Sequence, residues 1–175
     1  MKILRGVAAA CIFFLVAINS AAKPVKQPHD KYASLTPIVQ NIEARLKARA
    51  GVFIHEPESG VSWPYKAEER FPMCSTFKTL ACAALLYRVD KGEESLDRLV
   101  PINQQHIASY SPVTERRVGG RMSLFDLCAA TMKVSDNTAA NLILDAIGGP
   151  ASLTAFIRMS GDLTTRLDRR ETDLN

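Results

Sequence analysis

The sequence contains no internal repeats, no low-complexity stretches and little net charge. Its 22 Lys and Arg residues face 18 Asp and Glu residues, which gives a formal net charge of +4. Arg166, Arg169 and Arg170 alternate with acidic residues, so they form a mixed-sign segment and not a patch for a polyanion. These absences exclude a repeat architecture and leave no electrostatic case for a nucleic acid or membrane partner.

A long apolar run occurs only at the N-terminus. Lys2 and Arg5 form a charged start, residues 7–18 form the apolar run, and Ser20-Ala-Ala22 is a small-residue cleavage site. The run is too short to span a membrane as a helix. Residues 1–22 are therefore predicted to be a signal peptide, removed together with Cys11, and we expect no membrane association after cleavage.

The pattern after the leader changes near position 70. Residues 35–48 predict an amphipathic helix, and residues 51–55 and 61–65 predict two strands joined by a turn. From residue 71 onward the pattern predicts helices alone, at 75–90, 123–132, 138–147 and 151–159, with the first of them almost entirely apolar and therefore buried. Because a two-stranded hairpin is marginal by itself, we expect this sequence to be the N-terminal piece of a larger protein.

Three short motifs carry the candidate chemistry. Ser75-Thr-Phe-Lys78 places a nucleophile at a helix entrance with a base one turn away. Ser135-Asp-Asn137 can relay a proton to a leaving nitrogen, and Glu171-x-x-x-Asn175 can hold a hydrolytic water. Together the motifs describe a serine acyl-transfer site with its own water.

Each motif also has a purely structural interpretation. Ser75 can simply cap a helix, the 135–137 motif can cap the helix that follows it, and Glu171 and Asn175 can lie in a solvated loop. The Ser-x-x-Lys pattern alone is weak evidence for a catalytic site, since roughly one chance match is expected in a chain of this length. This chain contains such a second match at residues 20–23. His55 ends a strand and is predicted to be a surface or turn residue.

Three cysteines remain after the leader. Cys82 lies two turns beyond Ser75, and Cys128 lies in the helix predicted at 123–132. In an oxidising compartment these two can crosslink the helices, or each can remain a buried free thiol. Cys74 is left over, either free or paired with a residue beyond this sequence.

Over essentially all of its mature length the sequence resembles the class A serine β-lactamases. The resemblance is carried by segments at the family's relative spacings: Phe71-Pro-Met-Cys-Ser-Thr-Phe-Lys78, Ser135-Asp-Asn137, Ile147-Gly-Gly-Pro150 and Arg166-Leu-Asp-Arg169. It implies the two-domain fold of serine β-lactamases and penicillin-binding proteins, α/β plus all-α and here incomplete. Residues 23–70 would begin the α/β domain, whose C-terminal strands and helices are absent, and residues 71–175 would form the all-α domain and open the omega loop.

The resemblance also implies catalytic roles. Ser75 would attack the lactam carbonyl, and its backbone N–H would form half of the oxyanion hole. Lys78 would accept the proton directly, or Glu171 would accept it through water. Ser135 would pass a proton to the lactam nitrogen, and Glu171 with Asn175 would position the water that breaks the acyl-enzyme.

Further implied roles concern binding and the compartment. Asn137 would hold the substrate's side-chain amide, and Tyr110 would form an aromatic wall of the cleft. Cys82 and Cys128 occupy the positions of a disulfide found in many members of the family. The family implies a monomeric bacterial enzyme, periplasmic or secreted, that acts on small β-lactams without a cofactor or a metal.

The sequence departs from the family's pattern in three ways. It has no Lys-Thr-Gly or Lys-Ser-Gly segment, Arg169 lacks the downstream Asp that closes the omega loop, and Thr172 replaces a frequent Pro after Glu171. If the bond before Thr172 is cis as in the family, neighbours such as Asn141 must hold it. Alternatives to the hydrolase are a penicillin-binding peptidase, an acylated sensor, and an inactive truncated product, the last being expected for these 175 residues alone.

Overall fold

The computed structural model describes residues 32–173. The predicted signal peptide and Asn175 lie outside the described residues. The chain separates into two compact units, one ending at Arg70 and the other beginning at Phe71. The first unit mixes a helix with strands and the second is mainly helical, which confirms the mixed fold class predicted from the sequence.

The first unit consists of one helix and one hairpin. Helix α1 spans Leu35–Leu46, and strands β1 (Val52–His55) and β2 (Ser62–Tyr65) pair antiparallel with Val52 opposite Tyr65. The turn between them is closed by the Gly60 N–H, which donates to the Glu56 carbonyl at 2.8 Å. Gly60 has φ +69°, which a residue without a side chain adopts at no steric cost.

Glu43 ties α1 to the residues that follow it. Its carboxylate accepts hydrogen bonds from the Ala50 N–H at 2.7 Å, the Tyr65 hydroxyl at 2.7 Å and the Lys66 ammonium at 2.8 and 2.9 Å. These bonds, with that of Lys66 the strongest influence, lower the pKa of Glu43 to about 2. One side chain therefore joins the helix to both ends of the hairpin.

The second unit is built around helix α4. Its main helices run in chain order as α2 (Phe77–Asp90), α3 (Leu124–Val134), α4 (Asn137–Ile147) and α5 (Gly149–Met159). Helix α4 packs against the other three, and its Ile143 and Leu144 are fully buried with Phe77, Leu127 and Leu153. Burying side chains of this size contributes about 1.5–3 kcal/mol each, so α4 anchors the core.

Two local features differ from the sequence prediction. The helix expected at 75–90 begins with a 3₁₀ turn, Cys74–Thr76, and only then continues as α2. It is also not buried all round, since Leu86 and Tyr87 are 48% and 39% exposed. Leu86 lies away from the core, whereas the Tyr87 ring, although partly exposed, packs against Phe156 of α5 with 5.7 Å between the ring centroids.

A short two-stranded sheet interrupts the helical unit where only helices were predicted. Strands β3 (Leu99–Pro101) and β4 (Arg121–Ser123) pair antiparallel, with Val100 opposite Met122. Both of these central residues are buried, and the residues beside them are exposed except Ser123, which is half-buried. Three-residue strands separated by a long connection leave too little alternation for the sequence to reveal them.

The junctions between helices are tight. Gly148 ends α4 and precedes α5, with φ +96° and a position where a Cβ atom would lie 2.6 Å from the Ser152 hydroxyl oxygen. A side chain there would clash as well as strain the backbone. Within 32–173 no single helix is long and apolar enough to cross a membrane, although α4 and α5, bent by 72°, pass by length and composition together.

Candidate active site

Ser75 lies at the surface, in the 3₁₀ turn that leads into α2. The preceding residue, Cys74, has φ +44°. Tyr110 and Ser135 also lie in this left-handed region, at φ +58° and +59°. Each such residue costs of order 1–3 kcal/mol, and strained residues of this kind cluster at functional sites. Of the five non-glycine residues with positive φ in the described part of the chain, these three lie in the segments that carry the candidate site, and Lys47 and Lys66 lie in the first unit.

Lys78, one turn after Ser75, is the buried hub of the site. Its side chain is only 3% exposed. The ammonium donates to the Ser135 carbonyl at 2.9 Å, to the Ser135 hydroxyl at 3.0 Å and to the Asn137 side-chain oxygen at 2.5 Å. A buried charge needs hydrogen-bond partners of this kind. The motif that ends at Lys78 provides the charge, and the motif 135–137 provides the acceptors.

The segment between α3 and α4 presents Ser135 and Asn137 to Lys78. Ser135 ends α3 in the left-handed conformation, and Asn137 is the first residue of α4. The Asn137 side-chain NH₂ donates to the Ser109 carbonyl at 2.7 Å, and its backbone N–H donates to the Tyr110 carbonyl at 3.1 Å. These contacts fix both the side chain and the backbone of Asn137. They also place Tyr110, which is 64% exposed, next to it.

Asp136, between these two residues, faces the interior. It is completely buried, caps α4 by accepting from the Ala139 N–H, and accepts three more hydrogen bonds from Val113 and Thr114 at 2.8–3.0 Å. The capping interpretation of the 135–137 motif is thus correct for its middle residue. Its outer residues face Lys78 instead, so the motif has both a structural and a candidate chemical part.

Glu171 closes the site from the far end of the chain. Its carboxylate oxygen Oε1 lies 3.0 Å from the Lys78 ammonium, in a pair whose side chains are 9% and 3% exposed. The Ser75 hydroxyl donates to the same oxygen at 3.5 Å. A single oxygen atom thus contacts both the candidate nucleophile and the buried lysine.

Asn141 holds the backbone of Glu171. Its side-chain NH₂ donates to the Glu171 carbonyl at 2.8 Å, and its side-chain oxygen accepts from the Glu171 N–H at 3.0 Å. The Glu171–Thr172 peptide bond is cis, as the resemblance implied. Asn141, which was expected from the sequence as a neighbour that must hold this bond, lies four residues after Asn137 and hence on the same face of α4.

The loop before Glu171 is fastened to α5. The Leu167 side chain is buried, and its backbone exchanges two hydrogen bonds with the Thr154 hydroxyl, at 3.0 and 3.2 Å. The Arg158 guanidinium donates to the carbonyls of Asp162 and Thr165 at 2.7 and 2.6 Å. The carboxylate of Glu171 therefore extends from an anchored loop.

The cysteines predicted to crosslink are neighbours. Cys74, Cys82 and Cys128 are free thiols in the structure. The neighbouring Cys128 thiol raises the pKa of Cys82 above its usual range, with burial adding to the effect, and the Cys82 thiol lowers the pKa of Cys128. Helices α2 and α3, which pack against each other, thus carry the two thiols as neighbours.

Chemically, the cluster is a continuous path for a proton. It runs from the Ser75 hydroxyl through the Glu171 carboxylate and the Lys78 ammonium to the Ser135 hydroxyl. Such a path can remove a proton from one hydroxyl and deliver one through the other. Within residues 32–173, no group of three or more His, Cys, Asp and Glu side chains is placed to hold a metal ion.

Comparisons with known proteins agree on one family. A model of the β-lactamase enzyme family matches residues 34–175. β-Lactamases PSE-4 and CARB-3 of Pseudomonas aeruginosa are each 48% identical over 145 residues, covering 83% of this chain and 50% of theirs. The chain spans about half the length of these curated relatives.

Solved structures give the same result. An ancestral (GNCA) class A β-lactamase is 50% identical with a TM-score of 0.78, over 81% of this chain and 54% of the other. A β-lactamase from Xanthomonas campestris is 45% identical with a TM-score of 0.77, over 79% of this chain and 52% of the other.

Proposed function

Because this chain belongs to the β-lactamase enzyme family, among its class A members, we propose that the complete protein hydrolyses the amide bond of penicillin- and cephalosporin-type antibiotics and so confers resistance. The reaction would pass through an acyl-enzyme on Ser75. The observation that carries the proposal is the shared contact of the Glu171 Oε1 atom with the Ser75 hydroxyl and the Lys78 ammonium.

In acylation, the Ser75 oxygen attacks the lactam carbonyl carbon, and its proton passes to the Glu171 carboxylate, or to Lys78 once the Lys78 ammonium has given a proton to Glu171 across their 3.0 Å contact. Collapse of the tetrahedral intermediate breaks the bond from carbonyl carbon to nitrogen. Ser135 gives its proton to that nitrogen and is reprotonated by Lys78, whose ammonium lies 3.0 Å from its hydroxyl oxygen. The backbone N–H of Ser75 supplies one donor of the oxyanion hole.

Before deacylation, Glu171 returns its proton to Lys78 across their 3.0 Å contact, and the carboxylate then removes a proton from a water molecule as the water attacks the ester carbonyl. Asn141 orients the backbone of Glu171, and Asn175 is proposed to help hold the water. Ser75 leaves with a returned proton, which restores the free enzyme. This carboxylate beside the nucleophile favours the hydrolase over a penicillin-binding peptidase or an acylated sensor.

Substrate recognition is assigned to two residues beside the nucleophile. The Asn137 NH₂ group donates one hydrogen to Ser109, and its second hydrogen can meet the side-chain amide of an antibiotic. The exposed Tyr110 ring would form a wall of the cleft. We further propose that the protein is exported, after cleavage of residues 1–22, and acts as a monomer without a cofactor.

The test uses the complete gene product, a chromogenic cephalosporin and intact-protein mass spectrometry. The unsubstituted protein should turn over the substrate, and Ser75→Ala should neither hydrolyse it nor gain its mass. Ser160→Ala, at an exposed serine after α5, is the matched control and should behave as the unsubstituted protein. Labelling that persists in Ser75→Ala would overturn the proposal, and labelling without turnover in the unsubstituted protein would favour the peptidase or the sensor.

A further inference from the structure

Helix α4 contacts two consecutive residues of the loop that carries the candidate base. Asn141 binds the backbone of Glu171, and one turn later Asp145 pairs with Arg170 at 2.5 Å between a guanidinium nitrogen and a carboxylate oxygen. Because residues four apart lie on the same helix face, the two contacts are adjacent along α4. The helix thus holds residue 171 by its backbone and residue 170 by its side chain.

Nothing in α4 itself favours a carboxylate at position 145. Asp145 lies in the last turn of the helix, where the dipole presents its negative end and disfavours an anion. The Arg170 guanidinium offsets this charge. It also lies beside the junction of α4 and α5, 3.9 Å from where a Cβ atom of Gly149 would be.

We propose that Arg170 is a positioning residue for hydrolysis, acting through its ion pair with Asp145 to fix where the Glu171 carboxylate meets the attacking water. The inference rests on the proposed function. Lys78 holds the Glu171 carboxylate at 3.0 Å and Asn141 holds the Glu171 backbone, so the further restraint on the loop that leads into Glu171 is whatever holds residue 170. The Arg170 pair supplies that restraint from the same helix.

Deacylation should depend on this pair more than acylation does. In deacylation the Glu171 carboxylate is the base for the water, whereas in acylation Lys78 can also accept the proton. A small displacement of Glu171 therefore weakens the second step more than the first. The side chains of Arg170 and Asp145 are 45% and 51% exposed, so the pair is screened by solvent and its effect is modest.

The test measures acylation and deacylation rates separately in the complete gene product, by stopped-flow with a penicillin. Arg170→Ala and Asp145→Ala should each slow deacylation about two- to fivefold, the range that an exposed ion pair supports. The double variant should be no slower than either single one, because both remove the same interaction. Arg170→Lys should recover part of the rate, since it keeps the charge.

The matched control is the ion pair between Arg166 and Asp168, which lies in the same loop at 2.9 Å but links two loop residues to each other. Arg166→Ala should leave both rates unchanged. Independent, multiplying effects of the two single variants, or an equal loss in Arg166→Ala, would overturn the inference while leaving the proposed function intact. Failure of the unsubstituted protein to acylate at Ser75 would instead overturn the proposed function itself.

Discussion

The Lys78 ammonium and the Glu171 carboxylate lie 3.0 Å apart although 93 positions separate them in the chain. Both side chains are almost wholly buried, at 3% and 9% exposure, and Lys78 keeps three further acceptors from Ser135 and Asn137. Removing Glu171 therefore leaves the lysine charge hydrogen-bonded, so the protein should remain folded. The contribution of the Glu171 carboxylate to catalysis can then be tested separately from its contribution to stability.

Glu171→Ala should accumulate the acyl-enzyme of a penicillin in place of turning it over. The water loses its general base, a contribution of typically 10²–10⁴ in rate, whereas Lys78 is still present for acylation. Intact-protein mass spectrometry after mixing should show a persistent adduct. Glu115→Ala, at an exposed glutamate of the same unit, is the control and should show none. Unchanged turnover in Glu171→Ala would remove Glu171 from the mechanism.

Asp136→Ala should destabilise the protein strongly without touching the proton path. The Asp136 carboxylate is fully buried and satisfies the backbone N–H groups of Val113, Thr114 and Ala139. Leaving buried donors unpaired costs about 1–3 kcal/mol each, so a loss of about 3 kcal/mol or more is expected. Asp136→Asn should also destabilise, because an NH₂ group would then face N–H donors.

The comparison for this variant is Asp126→Ala, which removes an exposed carboxylate from the first turn of α3. It should cost no more than about 1 kcal/mol. Urea unfolding midpoints of the complete gene product measure both variants. Equal midpoints for Asp136→Ala and Asp126→Ala would show that the buried bonds contribute little.

The first unit should show an acid-dependent stability that depends on Glu43. Its pKa is lowered to about 2 by hydrogen bonds from Lys66, Ala50 and Tyr65. A carboxylate with a depressed pKa contributes stability that is fully present above its ordinary pKa of 4.5 and is lost as the pH falls toward 2. Stability should therefore decline through this interval.

Glu43→Gln removes the titrating group and should remove this part of the pH dependence. The difference in denaturation free energy between the unsubstituted protein and the variant should be constant above about pH 5, then shrink as the pH approaches the lowered pKa. Glu58→Gln, at an exposed glutamate in the β1–β2 turn, should leave the profile unchanged. Parallel profiles for Glu43→Gln and the unsubstituted protein would contradict the prediction.

What the sequence could predict depended on how far each contact reaches along the chain. The Ser75 and Lys78 spacing is helical, and Ser135 and Asn137 flank a helix start, so local rules bring these pairs together. The approach of Glu171 to Lys78 follows no local rule, and we expected it only from the chemistry of the three motifs taken together and from the family resemblance. The sequence identifies Asp136 only as the middle residue of a motif. Its hydrogen bonds to Val113 and Thr114 could not be predicted, because they form only in the folded chain.

The same limit explains the missed elements. Strands β3 and β4 have three residues each, too few for an alternating pattern, and they pair across about twenty residues. The contact of Arg170 with Asp145 requires the loop to run along α4, and the mixed charges of that segment argued only against a patch for a polyanion. Contacts between short or polar segments that are far apart in the sequence therefore could not be predicted, and the structure was needed to find them.

In the exported protein, Cys82 and Cys128 should form a disulfide. The packing of α2 against α3 makes their thiols neighbours, each of which shifts the pKa of the other, so an oxidant can link them. The crosslink closes a loop of about 46 residues, for which chain entropy suggests about 4 kcal/mol. Non-reducing peptide mass spectrometry of the periplasmic or secreted protein should find the linked pair.

Two variants check the pairing. Cys74→Ser should leave the link intact, because Cys74 is exposed and lies outside this pair. Cys82→Ser should free the Cys128 thiol and lower the urea midpoint. Two free thiols in the exported protein would contradict the prediction, and a link that includes Cys74 would assign the pairing differently.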